Sequence, residues 1–190
     1  LQEAVEAHAW DGEWYIAGTR DDGTPFGSKE CEEGRIFLNM QTWSVLTGIG
    51  SPERQKTAME SVKRHLLCAN GALLLQPAYS KVDNMIGYIS RYAPGLRENG
   101  GVYSHASTWA ALAFAKMGDA ETAWRIYRGM LPALRTQEDP DLYAAEPYVM
   151  PGNVDGPDSP YQGRAGWTWY TGSAAWMVRV ARALERLEAG

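Results

Sequence analysis

The sequence predicts an all-α protein, an array of helical hairpins closing toward a ring. Three observations carry this. Apolar residues recur at three- and four-residue spacing across 35–47, from 51 to 66, across 105–117, from 120 to 131 and again from 173. Glycines stop the first helix of each pair and a capping residue starts the second: Gly48-Ile49-Gly50 precedes Ser51, and Gly118 precedes Asp119. Asn39-Met40-Gln41-Thr42-Trp43 resembles His105-Ala106-Ser107-Thr108-Trp109 at an offset of 66 residues, and a further helix begins near Thr171, another 66 on. Equal spacing of hairpins marks a helical repeat. Each unit carries a long loop before its first helix, which suits a toroid whose inner-helix N-termini converge on one face. Asn39, His105 and Thr171 then take equivalent positions there.

In chain order, Leu1 to Ala9 reads as the tail of a helix whose beginning precedes Leu1. Asp11-Gly12 is a turn signal, Trp14 to Ala17 a short strand, and Arg20 to Pro25 a loop with hairpin character. The 35–47 helix buries Ile36, Met40, Trp43 and Leu46 or Thr47, widened by Leu38 and Val45. Ser51 caps its partner, with Pro52 at the first helical position and Ala58, Met59, Val62 and Leu66 inward. Residues 69–102 are mostly non-helical and include the polar turn Arg97-Glu98-Asn99-Gly100-Gly101. The 105–117 helix turns Thr108, Trp109, Leu112, Ala113 and Met117 inward, and its partner Ala120, Ala123, Trp124, Tyr127 and Leu131. Pro132 to Pro140 reads as loop. A long ordered connection then runs to the last helix, where Ala174, Met177, Val178, Ala181 and Leu184 form the stripe. Residues 1–190 make a single domain with a few short strands.

Composition narrows the function. Eighteen basic against 23 acidic residues give a net charge of −5, which argues against a nucleic-acid surface. No apolar stretch is long enough to span a membrane, and no secretory signal opens the chain. Cys31 and Cys68 form no framework; reduced thiols in a cytoplasmic protein are the simplest reading, one disulfide the alternative. His8, His65 and His105 lack metal-ligand spacing, so no structural zinc is expected; no other metal and no cofactor is expected either. Eight Trp and ten Tyr against three Phe suit either stacking on sugar rings or a polar core.

The segment from Thr168 to Trp176 concentrates chemistry. Gly163, Gly166 and Gly172 loosen the backbone, and Thr171-Gly172 falls at the start of a helix. A helix N-terminus offers unpaired N–H groups and partial positive charge, Thr171 adds a hydroxyl, and Gly172 admits close approach. That describes either an ordinary cap over a Trp-rich core or a site for a phosphate-sized anion.

Six segments together resemble the glycoside phosphorylases of family 94, the cellobiose and chitobiose phosphorylases and the related cyclic β-1,2-glucan synthases. They are His8-Ala9-Trp10-Asp11-Gly12-Glu13-Trp14-Tyr15, Glu33-Gly34-Arg35-Ile36-Phe37-Leu38-Asn39, Arg97-Glu98-Asn99-Gly100-Gly101, His105-Ala106-Ser107-Thr108-Trp109, Glu146-Pro147-Tyr148 and Trp169-Tyr170-Thr171-Gly172-Ser173-Ala174. The resemblance implies an (α/α)6 barrel, of which this chain would be about half, the C-terminal portion. It implies phosphorolysis of a β-linked disaccharide or oligosaccharide with inversion, releasing α-sugar-1-phosphate, with inorganic phosphate as co-substrate. The family's general-acid Asp belongs to a Trp-Asn-Asp segment expected upstream of Leu1, so no catalytic residue is assigned in this chain and the chain alone is expected to be inactive. Asp11 follows a Trp but belongs to another motif. The resemblance assigns phosphate binding to His105, Thr171 and Gly172, and the acceptor sugar to Glu98 and Arg97, with Gln162 a weaker candidate. Glu13, Glu33 and Glu146 read as loop braces. Half a toroid leaves apolar surface open, so self-association or the rest of the barrel is the expected partner. A non-catalytic carbohydrate-binding half-barrel and an (α/α)6 hydrolase are the alternatives.

Overall fold

The computed structural model describes residues 1–188. Its helices are α1 (Gln2–His8), α2 (Leu38–Thr47), α3 (Pro52–His65), α4 (Ser104–Lys116), α5 (Ala120–Gly129), α6 (Pro132–Glu138), α7 (Pro140–Tyr143) and α8 (Thr171–Glu188). The strands are two residues each. β1 (Gly18–Thr19) pairs with β2 (Pro25–Phe26), β3 (Ile36–Phe37) with β6 (Leu75–Gln76), and β4 (Leu67–Cys68) with β5 (Gly71–Ala72). β7 (Val102–Tyr103), β8 (Asn153–Val154) and β9 (Ala165–Gly166) form a three-stranded antiparallel ribbon.

Helices α2, α4 and α8 lie side by side with α4 in the middle; α3 backs α2, and α5 backs α4 and α8. The 66-residue repeat therefore marks the first helix of each unit. Trp43, Trp109 and Trp176, one turn into these helices, meet edge to face with centroids 5.3 and 6.0 Å apart. Thr42 and Thr108 sit at matching positions and each donates its hydroxyl to the carbonyl three residues back, Asn39 and His105.

Helix α4 explains why the stripes differ from those read off the spacing. It is flanked on both sides, so Ala106, Ser107, Thr108, Ala110, Ala111, Ala113, Phe114 and Ala115 are all buried, and small residues let the neighbours approach. Met117 lies exposed at its end. On α2 the buried set is Leu38, Gln41, Thr42, Ser44 and Val45, with Trp43 on the open side. On α8 it is Ser173, Met177, Val180 and Leu184, while Ala174 and Val178 are exposed. On α5, Ile126 is buried in place of Tyr127. One main core joins Trp14, Leu38, Met59, Val62, Phe114, Ile126, Val180 and Leu184. Each such side chain contributes about 1.5–3 kcal/mol.

Caps follow the predicted residues. Ser51 accepts from Arg54 N–H, and Asp119 from Thr122 N–H. The Lys116 ammonium donates to the carbonyls of Val45 and Leu46 at 3.0 and 3.1 Å, so the end of α4 caps the end of α2.

Two local readings are corrected. Pro132 to Pro140 is helical: each proline opens a short helix, and Asp139 caps α7 through Leu142 N–H. The strand expected at Trp14 to Ala17 is reduced to a single bridge, Trp10 to Tyr15, because the Gln41 side-chain amide takes both the N–H and the C=O of Tyr15. The hairpin instead spans Gly18 to Phe26. Cys31 and Cys68 are free thiols. Among the described residues no helix is long and apolar enough to cross a membrane, and no group of three metal-ligating side chains comes together.

Candidate functional site

The strands deliver the inner helices to one face. β3 runs directly into α2 and β7 directly into α4. Strand β9 and the strap from Trp167 to Tyr170 lead into α8. Neither α2 nor α4 has a side-chain cap: their N-caps are Phe37 and Tyr103. The outer α3 and α5 do, as does α7. The first-turn N–H groups of α2 and α4 thus remain unspent by side chains.

At this face the His105 ring lies over the start of α8. A Cβ at Gly172 would fall 2.5 Å from His105 Cε1 and 2.7 Å from Nε2. Gly172 is therefore required by the imidazole, which packs directly against the start of α8. His105 also contacts Trp109 and Tyr170, with centroids 5.8 and 5.9 Å away. Burial lowers its pKa below the ordinary histidine value, so the ring is neutral near pH 7 and offers one N–H and one lone pair. Thr171 adjoins Gly172 and is exposed. It lines an apolar cavity of about 540 Å³ with Leu131, Leu134, Val149, Met150, Trp169 and Tyr170, a cavity that His105 does not line.

Tyr170 connects this corner to the next. Its hydroxyl lies 3.0 Å from that of Tyr103. Burial first, then the bond with Tyr170, raises the Tyr103 pKa, so the phenol stays protonated. Charges on Glu98 and Arg97 also act on Tyr103.

Arg97 and Glu98 ride on a turn pinned by Asn99. That side chain is fully buried; its Oδ1 accepts from Tyr79 N–H at 2.7 Å, and its amide donates to the carbonyls of Tyr79 and Tyr92 at 2.9 and 2.8 Å. Gly101 is needed because a Cβ there would lie 2.6 Å from the Arg97 carbonyl. Arg97 adopts φ 51°, a strained value for a residue with a side chain. Its guanidinium lies 4.1 Å from the Trp167 ring centroid and 5.0 Å from that of Tyr92. Arg97 Nε is 3.4 Å from Glu98 Oε2, within ion-pair range but not aligned for a hydrogen bond.

The other candidates separate. Gln162 lines a cleft of about 220 Å³ with Asn70, Arg135, Glu138 and Tyr143, in which neither His105 nor Thr171 takes part. Glu33 accepts from the backbone and hydroxyl of Ser80, and Glu146 from the Trp169 indole at 3.1 Å. Asp11 accepts from the Ser28 hydroxyl and from Lys29 N–H. The Glu13 backbone carbonyl accepts from Ser61. Asn99, Tyr103, Tyr170 and Trp167 were missed as members of the site. The signal for Asn99 was its place before two glycines, and for Tyr170 its place beside Thr171.

The family model for the glycosyl hydrolase 94 superfamily, catalytic domain, matches residues 1–184. The chain is 44% identical over 184 residues to cyclic beta-(1,2)-glucan synthase NdvB of Rhizobium meliloti (strain 1021), covering 95% of this chain and 6% of that protein. It is 36% identical over 180 residues to solabiose phosphorylase of Paenibacillus borealis, covering 95% and 23%. It is 35% identical over 178 residues to N,N'-diacetylchitobiose phosphorylase of Vibrio proteolyticus, covering 93% and 22%. The chain thus spans less than a quarter of the length of each of these relatives. A match across almost every residue, and a His105–Gly172 contact built from two of the motifs that carried the resemblance, lead to one conclusion: the chain belongs to the glycosyl hydrolase 94 superfamily, as a part of its catalytic domain.

Proposed function

We propose that the chain is the C-terminal segment of an (α/α)6 catalytic barrel in an inverting glycoside phosphorylase. Inorganic phosphate, the co-substrate, is held by His105, the Thr171 hydroxyl and the N–H groups at Gly172. The acceptor-side sugar of a β-linked disaccharide is held by Glu98 with Arg97 behind it. Phosphate attacks the anomeric carbon from the face opposite the leaving oxygen, which gives the α-sugar-1-phosphate. A neutral His105 suits this role, because it donates to phosphate without holding the nucleophile in a tight ion pair. No residue of these 190 is assigned as general acid. The open side of the α2–α4–α8 layer takes the rest of the barrel, or a second copy when the segment stands alone.

The observation that carries the proposal is the His105–Gly172 contact at the start of an 18-residue helix. Two phosphorylases among the relatives support the reaction class. The 44% identity to a cyclic glucan synthase supports a second reading of the substrate, a β-1,2-linked glucan. Titration with phosphate and with β-1,2- and β-1,4-linked glucose disaccharides tests both. Saturable phosphate binding lost in His105→Ala supports the first reading, and preference for the β-1,2 disaccharide supports the second. Sugar binding with no phosphate binding favours a carbohydrate-binding module or a hydrolase.

A further inference from the structure

The indole of Trp167 has no role in the phosphate site, yet the fold holds it in an expensive conformation. Its φ is 51°. A β-carbon-bearing residue in the left-handed region is strained, and glycine would relieve the strain. The conformation is enforced from below: Gly152 N–H donates to the carbonyls of Gly166 and Trp167 at 2.9 and 2.7 Å, and a Cβ at Gly152 would stand 2.9 Å from Trp167 Cβ. Strain of this kind persists where the side chain is needed in place.

What the strain achieves is position. The indole receives the Arg97 guanidinium 4.1 Å from its centroid, and Trp167 is nonetheless 51% exposed, so much of the residue remains open to solvent. Arg97 is itself the neighbour of Glu98, on a turn with the same left-handed φ of 51°. The two strained residues therefore meet across the site, one from the Asn99 turn and one from the strap before α8. We infer that Trp167 is a stacking platform for a neutral hexose ring, and that it sets which sugar the Glu98 turn accepts. This rests on the phosphorylase reading for the identity of the turn as the acceptor side.

The chemistry of the patch selects the ligand class. Arg97 and Glu98 lie within ion-pair range and offset each other's charge, while Glu98 Oε2 keeps no hydrogen-bond partner of its own. A β-linked glucose ring presents an apolar C–H face to an indole and a rim of hydroxyls to a carboxylate, which matches a flat aromatic surface beside one acceptor. A cation over the indole fixes its plane before the sugar arrives, which lowers the ordering cost of binding.

The test uses the chain with Trp167→Gly and Trp167→Phe, titrated with sophorose and cellobiose and followed by calorimetry and by the indole N–H signals. Trp167→Gly should weaken disaccharide binding about tenfold or more, and Trp167→Phe, which keeps a flat ring, should recover most of it. Thermal stability of Trp167→Gly should not fall with affinity, because the glycine relieves backbone strain. In the unsubstituted chain the Trp167 indole signal should shift with sugar, which decides the matter even where a variant fails to fold. Equal affinity in all three proteins, or a Trp167 signal indifferent to saturating sugar, overturns the inference. Phosphate binding by the unsubstituted chain, measured in parallel, reports separately on the phosphorylase reading.

Discussion

The His105 imidazole occupies the space in which a side chain at Gly172 would begin, with Cε1 2.5 Å from that Cβ position. Two segments 66 residues apart in the repeat are thereby locked to each other. Gly172→Ala should displace the ring, weaken phosphate binding about tenfold or more and cost roughly 1–3 kcal/mol of stability by overpacking. A helical glycine is otherwise stabilised by alanine. A melt and a phosphate titration on the variant check this; a gain in stability with unchanged affinity counts against the contact.

Truncating the anion donors should act on binding and little on the fold. His105→Ala and Thr171→Ala should each weaken phosphate binding about tenfold or more, since a charge-assisted hydrogen bond is worth roughly 1.5–3 kcal/mol. Circular dichroism should stay unchanged, because Thr171 is exposed and His105 is only partly buried.

Acid should destabilise the chain through its histidines. Burial lowers the pKa of both His105 and His65 below the usual value of about 6.5. As pH falls through about 6.5, the unfolded chain takes up protons that the native chain refuses. The stability is therefore fully present above that pH and declines below it, until the lowered native pKa is reached. His105→Gln should flatten part of this slope in urea melts at pH about 7.5 and about 5.5. Bound phosphate should raise the His105 pKa, because a nearby anion favours the imidazolium.

Much of this architecture was legible in the sequence. The repeat of Thr42-Trp43 and Thr108-Trp109 located the inner helices, and Ser51, Gly118 and Asp119 their turns. Burial was legible less well. Trp43 faces the open side, while Gln41 and Ser107 are inside because they bond to Tyr15 and to Ala72 N–H. Apolar spacing does not register polar side chains that serve as backbone partners. The Arg97–Trp167 pair was invisible for another reason. It depends on two left-handed residues 70 positions apart, and no local pattern announces such a backbone in a residue other than glycine.

The Asn99 pin gives a test of the turn proposed to hold the acceptor sugar. Asn99→Ala removes three hydrogen bonds, two of them buried, and leaves the Tyr79 and Tyr92 groups without these partners, which should cost about 2–4 kcal/mol. Disaccharide binding should fall further than phosphate binding, since Glu98 and Arg97 sit on this turn and His105 does not. Calorimetric titration of both ligands at a temperature where the variant stays folded separates the two effects.

The central claim is that His105 and the start of α8 hold one phosphate. The most direct measurement is a phosphate titration of the isotope-labelled chain, following the His105 ring nitrogens and the backbone amides of Thr171, Gly172 and Ser173. The account predicts that all four report a single saturable event with one dissociation constant, absent in His105→Ala. Shifts confined to other residues, or a His105 ring that stays silent while the amides move, would contradict it.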